Sequence, residues 1–126
     1  MNDYWLKSLA AARSARALLA MGDTDGAVGR AYYAMFDAAR AALEFIDVKL
    51  AAAKSHATII SRFGQHVVLA RGLDRQLGKT LNTAEDLRNA ADYDRKPVAI
   101  EEARETIERM EKFVLAMADL LGEEPP

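Results

Sequence analysis

No proline occurs in the first 96 residues of this 126-residue chain; the only three are Pro97, Pro125 and Pro126. Proline removes a backbone donor and clashes with the preceding helical turn, so its absence leaves a long stretch free to be helical. Alanine, with 25 residues, and leucine, with 14, dominate the composition. Both are strong helix formers, and β-branched residues are few. The expected fold is all-α, an antiparallel up-and-down bundle of four to five helices joined by short turns. A chain of this length supplies one core. A single domain over residues 1–126 is therefore expected, with its body at about 2–121 and a tail at 122–126.

Apolar periodicity places the helices. The first runs from about Asn2 to Met21, with Tyr4, Leu9, Ala12, Ala15, Leu18 and Leu19 on one side. Gly22 suits its C-terminal cap, and the Asp23-Thr24-Asp25 group suits the next N-cap. The second, about Thr24 to Ile46, has one apolar line of Val28, Tyr32, Met35, Ala39, Ala42 and Ile46, widened by Ala31, Ala34, Ala38 and Phe45. Arg30, Tyr33, Asp37, Arg40 and Glu44 take the other side, with Asp37–Arg40 and Arg40–Glu44 spaced as local pairs. So wide an alanine-rich face marks a central helix. Asp47 to Lys54 reads as either an extension or a connection. Ser55 suits the N-cap of a third helix, His56 to Ala70, which buries Ile59, Ile60, Phe63 and Val67 and stops at Gly72. A fourth, Leu73 to Tyr93, follows. Pro97 suits the first turn of a fifth, whose Ile100, Ala103, Ile107, Met110, Val114, Met117 and Leu121 make a narrow seam closed by Gly122.

The remaining composition excludes function classes. Hydrophobic residues make up 51% and charged residues 29%, with a formal net charge of −2, which is the balance of a soluble globular protein. The global positive charge of a phosphate-coating protein is absent. Without cysteine there is no disulfide, thiolate metal site or cysteine nucleophile. No glycine-rich phosphate loop, His-Glu-x-x-His pair or glycine-flanked serine occurs, so no cofactor and no metal are expected. No apolar run approaches the ~20 residues that cross a bilayer, and Met1-Asn2-Asp3-Tyr4 does not open a secretion signal. A cytoplasmic protein that does not engage membrane is expected.

Three places carry chemistry. Arg30-Ala31-Tyr32-Tyr33-Ala34-Met35-Phe36 sets an arginine and three aromatics into an alanine-rich helix; it reads either as core packing or as one wall of a cleft. Leu81, Glu85, Arg88 and Asp92 share a stripe, as a surface ion pair or as a polar site beside the Pro97 break. Of the two histidines, His56 shares a side with Ile59, Ile60 and Phe63 at a core edge, and His66 follows Arg62 by four on a solvated face.

The string from Arg30 to Leu43 resembles the signature helix of HEPN-domain proteins. Ser55-His56, then Leu87-Arg88-Asn89-Ala90-Ala91-Asp92-Tyr93 and a last amphipathic helix, are similar to the same family in the same order, over roughly Asn2 to Leu121. The resemblance implies a helical bundle that forms a homodimer. It also implies a toxin–antitoxin-like pairing with a minimal nucleotidyltransferase partner, and a dimer cleft for nucleotide or RNA. Active members are metal-independent ribonucleases whose signature is an arginine followed, after four to six residues, by a histidine. An imidazole accepts a proton near neutral pH, and a guanidinium stabilises charge on the reacting phosphate. Arg88 matches that arginine, and no histidine follows it. The resemblance makes Arg88, Asp92 and Tyr93 the catalytic candidates, with His56 as an auxiliary from another helix. It makes Arg30 and Tyr33 the nucleotide- or RNA-binding candidates, and Tyr93 a possible acceptor of nucleotide transfer from the partner.

Overall fold

Alanine leaves only a methyl group between two helix backbones, and the central helix α2 (Thr24–Ile46) uses this on several sides at once. The computed structural model describes residues 2–125. Around α2 pack α1 (Asp3–Ala20), α5 (Gln76–Tyr93) and α6 (Ile100–Leu121), and the short α3 (Val48–Ala51) and α4 (His56–Arg62) complete the shell. Ala27, Ala31, Ala34, Ala38, Ala41 and Ala42 of α2 are buried together with Tyr32, Met35, Phe36 and Leu43. Among the described residues the chain is an all-α bundle, with six helices rather than the four to five expected.

Hydrogen bonds give the directions. Asn2 Nδ2 donates to the Ala41 carbonyl at 3.1 Å and Ser8 Oγ to the Ala34 carbonyl at 2.6 Å, so α1 runs antiparallel to α2. Val28 clusters with Ala91, and Met35, two turns further on, lies beside Ala84, so α5 is antiparallel to α2 as well. The α6 end begins beside the start of α2, where the Val98 amide donates to Asp25 Oδ1 at 2.9 Å. The caps follow the chemistry of the turns. Asn2, Asp23, Asp47 and Ser55 each accept a backbone amide at a helix start. Gly22, Gly72 and Gly122 take the left-handed conformation that helix C-termini favour.

Five local expectations are corrected. The third helix does not stay α-helical to Ala70: after Arg62 it widens into a π-helical segment, Phe63–Leu69. The wider turn lets Phe63, Val67 and Val68 all face the core, which 3.6 residues per turn would not allow as well. Gly72 and an Asp74 side chain accepting the Gln76 amide hold Leu73–Arg75 as a turn, so the fourth helix starts at Gln76. Pro97 lies outside the last helix, which starts at Ile100, because the Val98 amide is tied to Asp25 and its side chain packs on the Val28–Ala91–Ala103 cluster. Phe45 is 54% exposed, whereas Phe36, nine residues and half a revolution away, is buried. Arg40 pairs with neither Asp37 nor Glu44 in a salt bridge. It donates to the Ala51 and Ala53 carbonyls at 3.0 and 2.8 Å, tying the α3 turn to α2.

Candidate functional site

The exposed edges of α2 and α5 meet where Tyr33 and Arg88 project toward each other. Arg88 donates from Nη2 to the Tyr33 hydroxyl at 3.0 Å, and its Nε lies 3.3 Å from Asp92 Oδ2 one turn on. The Arg30 guanidinium sits 5.6 Å from the Tyr33 ring centroid and that of Arg88 sits 5.3 Å from it, so one aromatic ring holds two cations. These side chains, with Asp25 and Asp92, line an open groove of about 300 Å³. Leu18 forms a wall, and Gly26 and Gly29 leave the α2 side of it bare.

The charges in this groove are unequally satisfied. Asp92 is committed to Arg88, and Asp25 to the Val98 amide. Among the described residues Arg30 makes no ion pair or hydrogen bond; its contact is the Tyr33 ring. A cation stacked on an aromatic and held in no salt bridge is suited to an anion that offers it two oxygens, such as a phosphate. Asp37, further along the same helix, is half-buried; burial pushes its carboxyl above the ordinary range, against the opposing charges of Lys7, Arg30, Arg40 and His56.

Behind Tyr33 lies a second layer. Tyr32 is fully buried, and its hydroxyl is 2.9 Å from His56 Nδ1 and 3.4 Å from Glu85 Oε2. The His56 ring stacks on Phe36 with centroids 4.2 Å apart and meets the Tyr33 ring edge-on at 6.0 Å. Burial, and then the nearby Glu85, drives the Tyr32 phenol well above its usual range, so it remains a protonated donor.

The sequence-based candidates therefore divide. Arg30, Tyr33, Arg88 and Asp92 come together on one groove, and His56 packs against the back of Tyr33. Tyr93 does not line the groove: it ends α5 at 85% exposure. Tyr32 and Glu85 were legible only as a core aromatic and a stripe residue. A tyrosine in a buried line does signal that its hydroxyl needs a partner, and that signal points to His56 and Glu85. Among the described residues no His, Asp and Glu side chains gather in threes as metal donors.

Fold and groove together define an all-α bundle that presents an arginine–tyrosine surface from its second and fifth helices. A family model described as HEPN domain matches residues 1–120, and the chain belongs to that family. It is similar to the "UPF0332 protein glr0978" of Gloeobacter violaceus, with 44% identity over 69 residues, covering 55% of this chain and 52% of that protein. It is also similar to the "Putative toxin MJ0605" of Methanocaldococcus jannaschii, with 36% identity over 88 residues, covering 70% of this chain and 63% of that protein. The chain thus spans between half and two thirds of the length of these relatives.

Proposed function

We propose that this protein is the HEPN component of a toxin–antitoxin-like pair, acting in the cytoplasm with a minimal nucleotidyltransferase as its partner. It works as a homodimer, and its groove takes the phosphate of a nucleotide or of RNA. The toxin-like reading is supported by the family and by the printed name of one relative. The observation that carries the site is the convergence of Arg30, Tyr33 and Arg88 from two helices, with Arg30 left without an acidic partner. Arg88, braced by Asp92 and Tyr33, is aimed as a charge-stabilising donor rather than a mobile surface arginine.

Fluorescence anisotropy with a labelled single-stranded RNA tests the site. Wild type is expected to bind, and Arg30→Ala and Arg88→Ala each to weaken binding about tenfold, the scale of one charged hydrogen bond. Equal binding by all three proteins removes the groove from the account. Co-purification with a minimal nucleotidyltransferase encoded beside this chain tests the partner, and a monomer that captures none of it overturns that part.

The exposure of Tyr93 favours a second role for the same helix end. A phenol this accessible is suited to accept a nucleotidyl group from the partner, four residues from Asn89 and next to Asp92. Mass spectrometry after incubation with partner and ATP is expected to find the added nucleotide on Tyr93 and none on the Tyr93→Phe variant; an unmodified Tyr93 ends this reading.

A further inference from the structure

The chain has seven glycines, and the fold accounts for four of them. Gly22, Gly72 and Gly122 hold left-handed backbone, which any side chain strains. At Gly26 a Cβ would lie 2.5 Å from Asp23 Oδ2, so a side chain there would displace the cap of α2. Gly29, Gly64 and Gly78 have no such reason. Each lies inside a helical segment without a positive φ, and a Cβ at each would meet nothing within 4 Å. A glycine inside a helix is less stable than alanine, so packing and backbone alone would favour alanine at all three. Gly64 and Gly78 border a separate cleft between the π-helical segment and α5. Gly29 borders the groove that holds Arg30, Tyr33 and Arg88.

Along α2 the groove runs over Gly26, Gly29 and Tyr33, which share one face at steps of three and four. The first two leave the helix backbone bare. At the third the Tyr33 ring stands up, with the Arg30 and Arg88 guanidiniums against it. Leu18 of α1 adds an apolar wall. Charge is uneven along this path. The two cations gather at Tyr33. At the Gly26 end stands Asp25, whose Oδ1 takes the Val98 amide and whose Oδ2 has no partner among the described residues. An anionic group is therefore drawn to the Tyr33 end and repelled from the other. The Asp25 end suits a neutral group that donates N–H or O–H. Between them lies a strip of bare backbone and leucine that a flat group can cover closely. A nucleotide carries these parts in this order: a phosphate, then a planar base edged with N–H donors. The groove, at about 300 Å³, matches the small end of ligand sites, roughly 300–1,000 Å³, and so holds one such unit.

We propose that Gly29 is the specificity-determining residue of this groove: it leaves room for one unpaired base of a single-stranded RNA to lie on the α2 backbone beside Leu18, while the phosphate of that nucleotide reaches Arg30 and Arg88. The proposal rests on the reading of the groove as a phosphate site. It adds that the base, and not the phosphate alone, is held, and that it must be uncovered. A duplex is refused because its bases are stacked and paired, so none can be laid against the helix. A side chain at position 29 would fill the seat of the base and leave the two arginines where they are.

Three labelled probes and two variants test this by fluorescence anisotropy and thermal denaturation. The probes are a single-stranded RNA, its duplex, and a ribose–phosphate strand of the same length without bases. Wild type is expected to bind the single strand about tenfold more tightly than either of the others, the scale of one base contact. Gly29→Ala is expected to lose about tenfold on the single strand and nothing on the strand without bases, while its thermal midpoint rises. Gly29→Leu is expected to lose more. Unchanged single-strand affinity in both variants overturns the proposal. A lower midpoint in Gly29→Ala also overturns it, because glycine would then be a need of the fold. Equal binding of all three probes by wild type overturns it too, and if that binding still weakens in Arg30→Ala the groove remains a phosphate site. Failure of wild type to bind any probe sinks the groove reading and the proposal with it.

Discussion

Asp37 shows how one residue can carry a cost of the site into the stability of the whole chain. Burial raises its carboxyl pKa in the folded protein, and the surrounding cations offset this only in part. The folded state therefore binds the proton more tightly than the unfolded chain, whose aspartate titrates near ~3.9. Stability from this group is fully present below the unfolded value and is lost as pH rises through the raised folded value. Asp37→Asn is expected to raise the thermal midpoint at pH 7 and to weaken the gain that wild type shows on mild acidification; a lower midpoint at pH 7 contradicts this. Tyr33→Phe makes the complementary case. It removes only the acceptor for Arg88 and keeps the ring between two guanidiniums. The partners are partly solvated, so stability should change by less than about 1 kcal/mol, while RNA affinity falls because Arg88 loses its brace. Denaturation curves and anisotropy separate the two effects.

Helix by helix, glycine substitutions should act with opposite signs. Gly22 closes α1 at φ +82°, so Gly22→Ala is expected to destabilise by about 1 kcal/mol. Gly78 lies inside α5, and a methyl group there would meet nothing within 4 Å, so Gly78→Ala is expected to stabilise by about 1 kcal/mol. Chemical denaturation of both variants checks the pair. The same scale shows what the sequence makes legible. The Ser55 cap, the Gly22 and Gly122 stops and the α2 face apart from Phe45 are local patterns of hydrogen-bond chemistry and 3.6-residue spacing, and each forms as read. The π-helical segment was not legible, because what favours it is the joint demand of Phe63, Val67 and Val68 for one core, a tertiary effect. The positions of Pro97 and Arg40 depend on partners 72 and 11 residues away or more, Asp25 for the strap after Pro97 and the Ala51 carbonyl for Arg40. The site was half legible for the same reason: Arg30, Tyr33, Arg88 and Asp92 stand out by type, but the Tyr32–Glu85–His56 series exists only once three helices have packed.

For the whole molecule, net charge decides how any nucleic acid can be held. At −2 the chain offers no general attraction to a polyanion, so binding must come from the groove, where Arg30 and Arg88 are the two cations. Single-stranded nucleic acid releases about 0.7 counterion per phosphate neutralised. Two contacts then predict a slope of about −1.4 in log affinity against log salt, or roughly a sevenfold loss between 50 and 200 mM. That is far shallower than the dependence of a basic, charge-coating protein. Arg30→Ala should halve the slope as well as lower the affinity, because Arg30 has no carboxylate to give up, whereas the pairing of Arg88 with Asp92 means part of its charge is already spent. Titrations of wild type and Arg30→Ala at four salt concentrations measure both slopes. A steep wild-type slope that Arg30→Ala leaves unchanged would place the contact elsewhere, on a surface assembled from more than one chain.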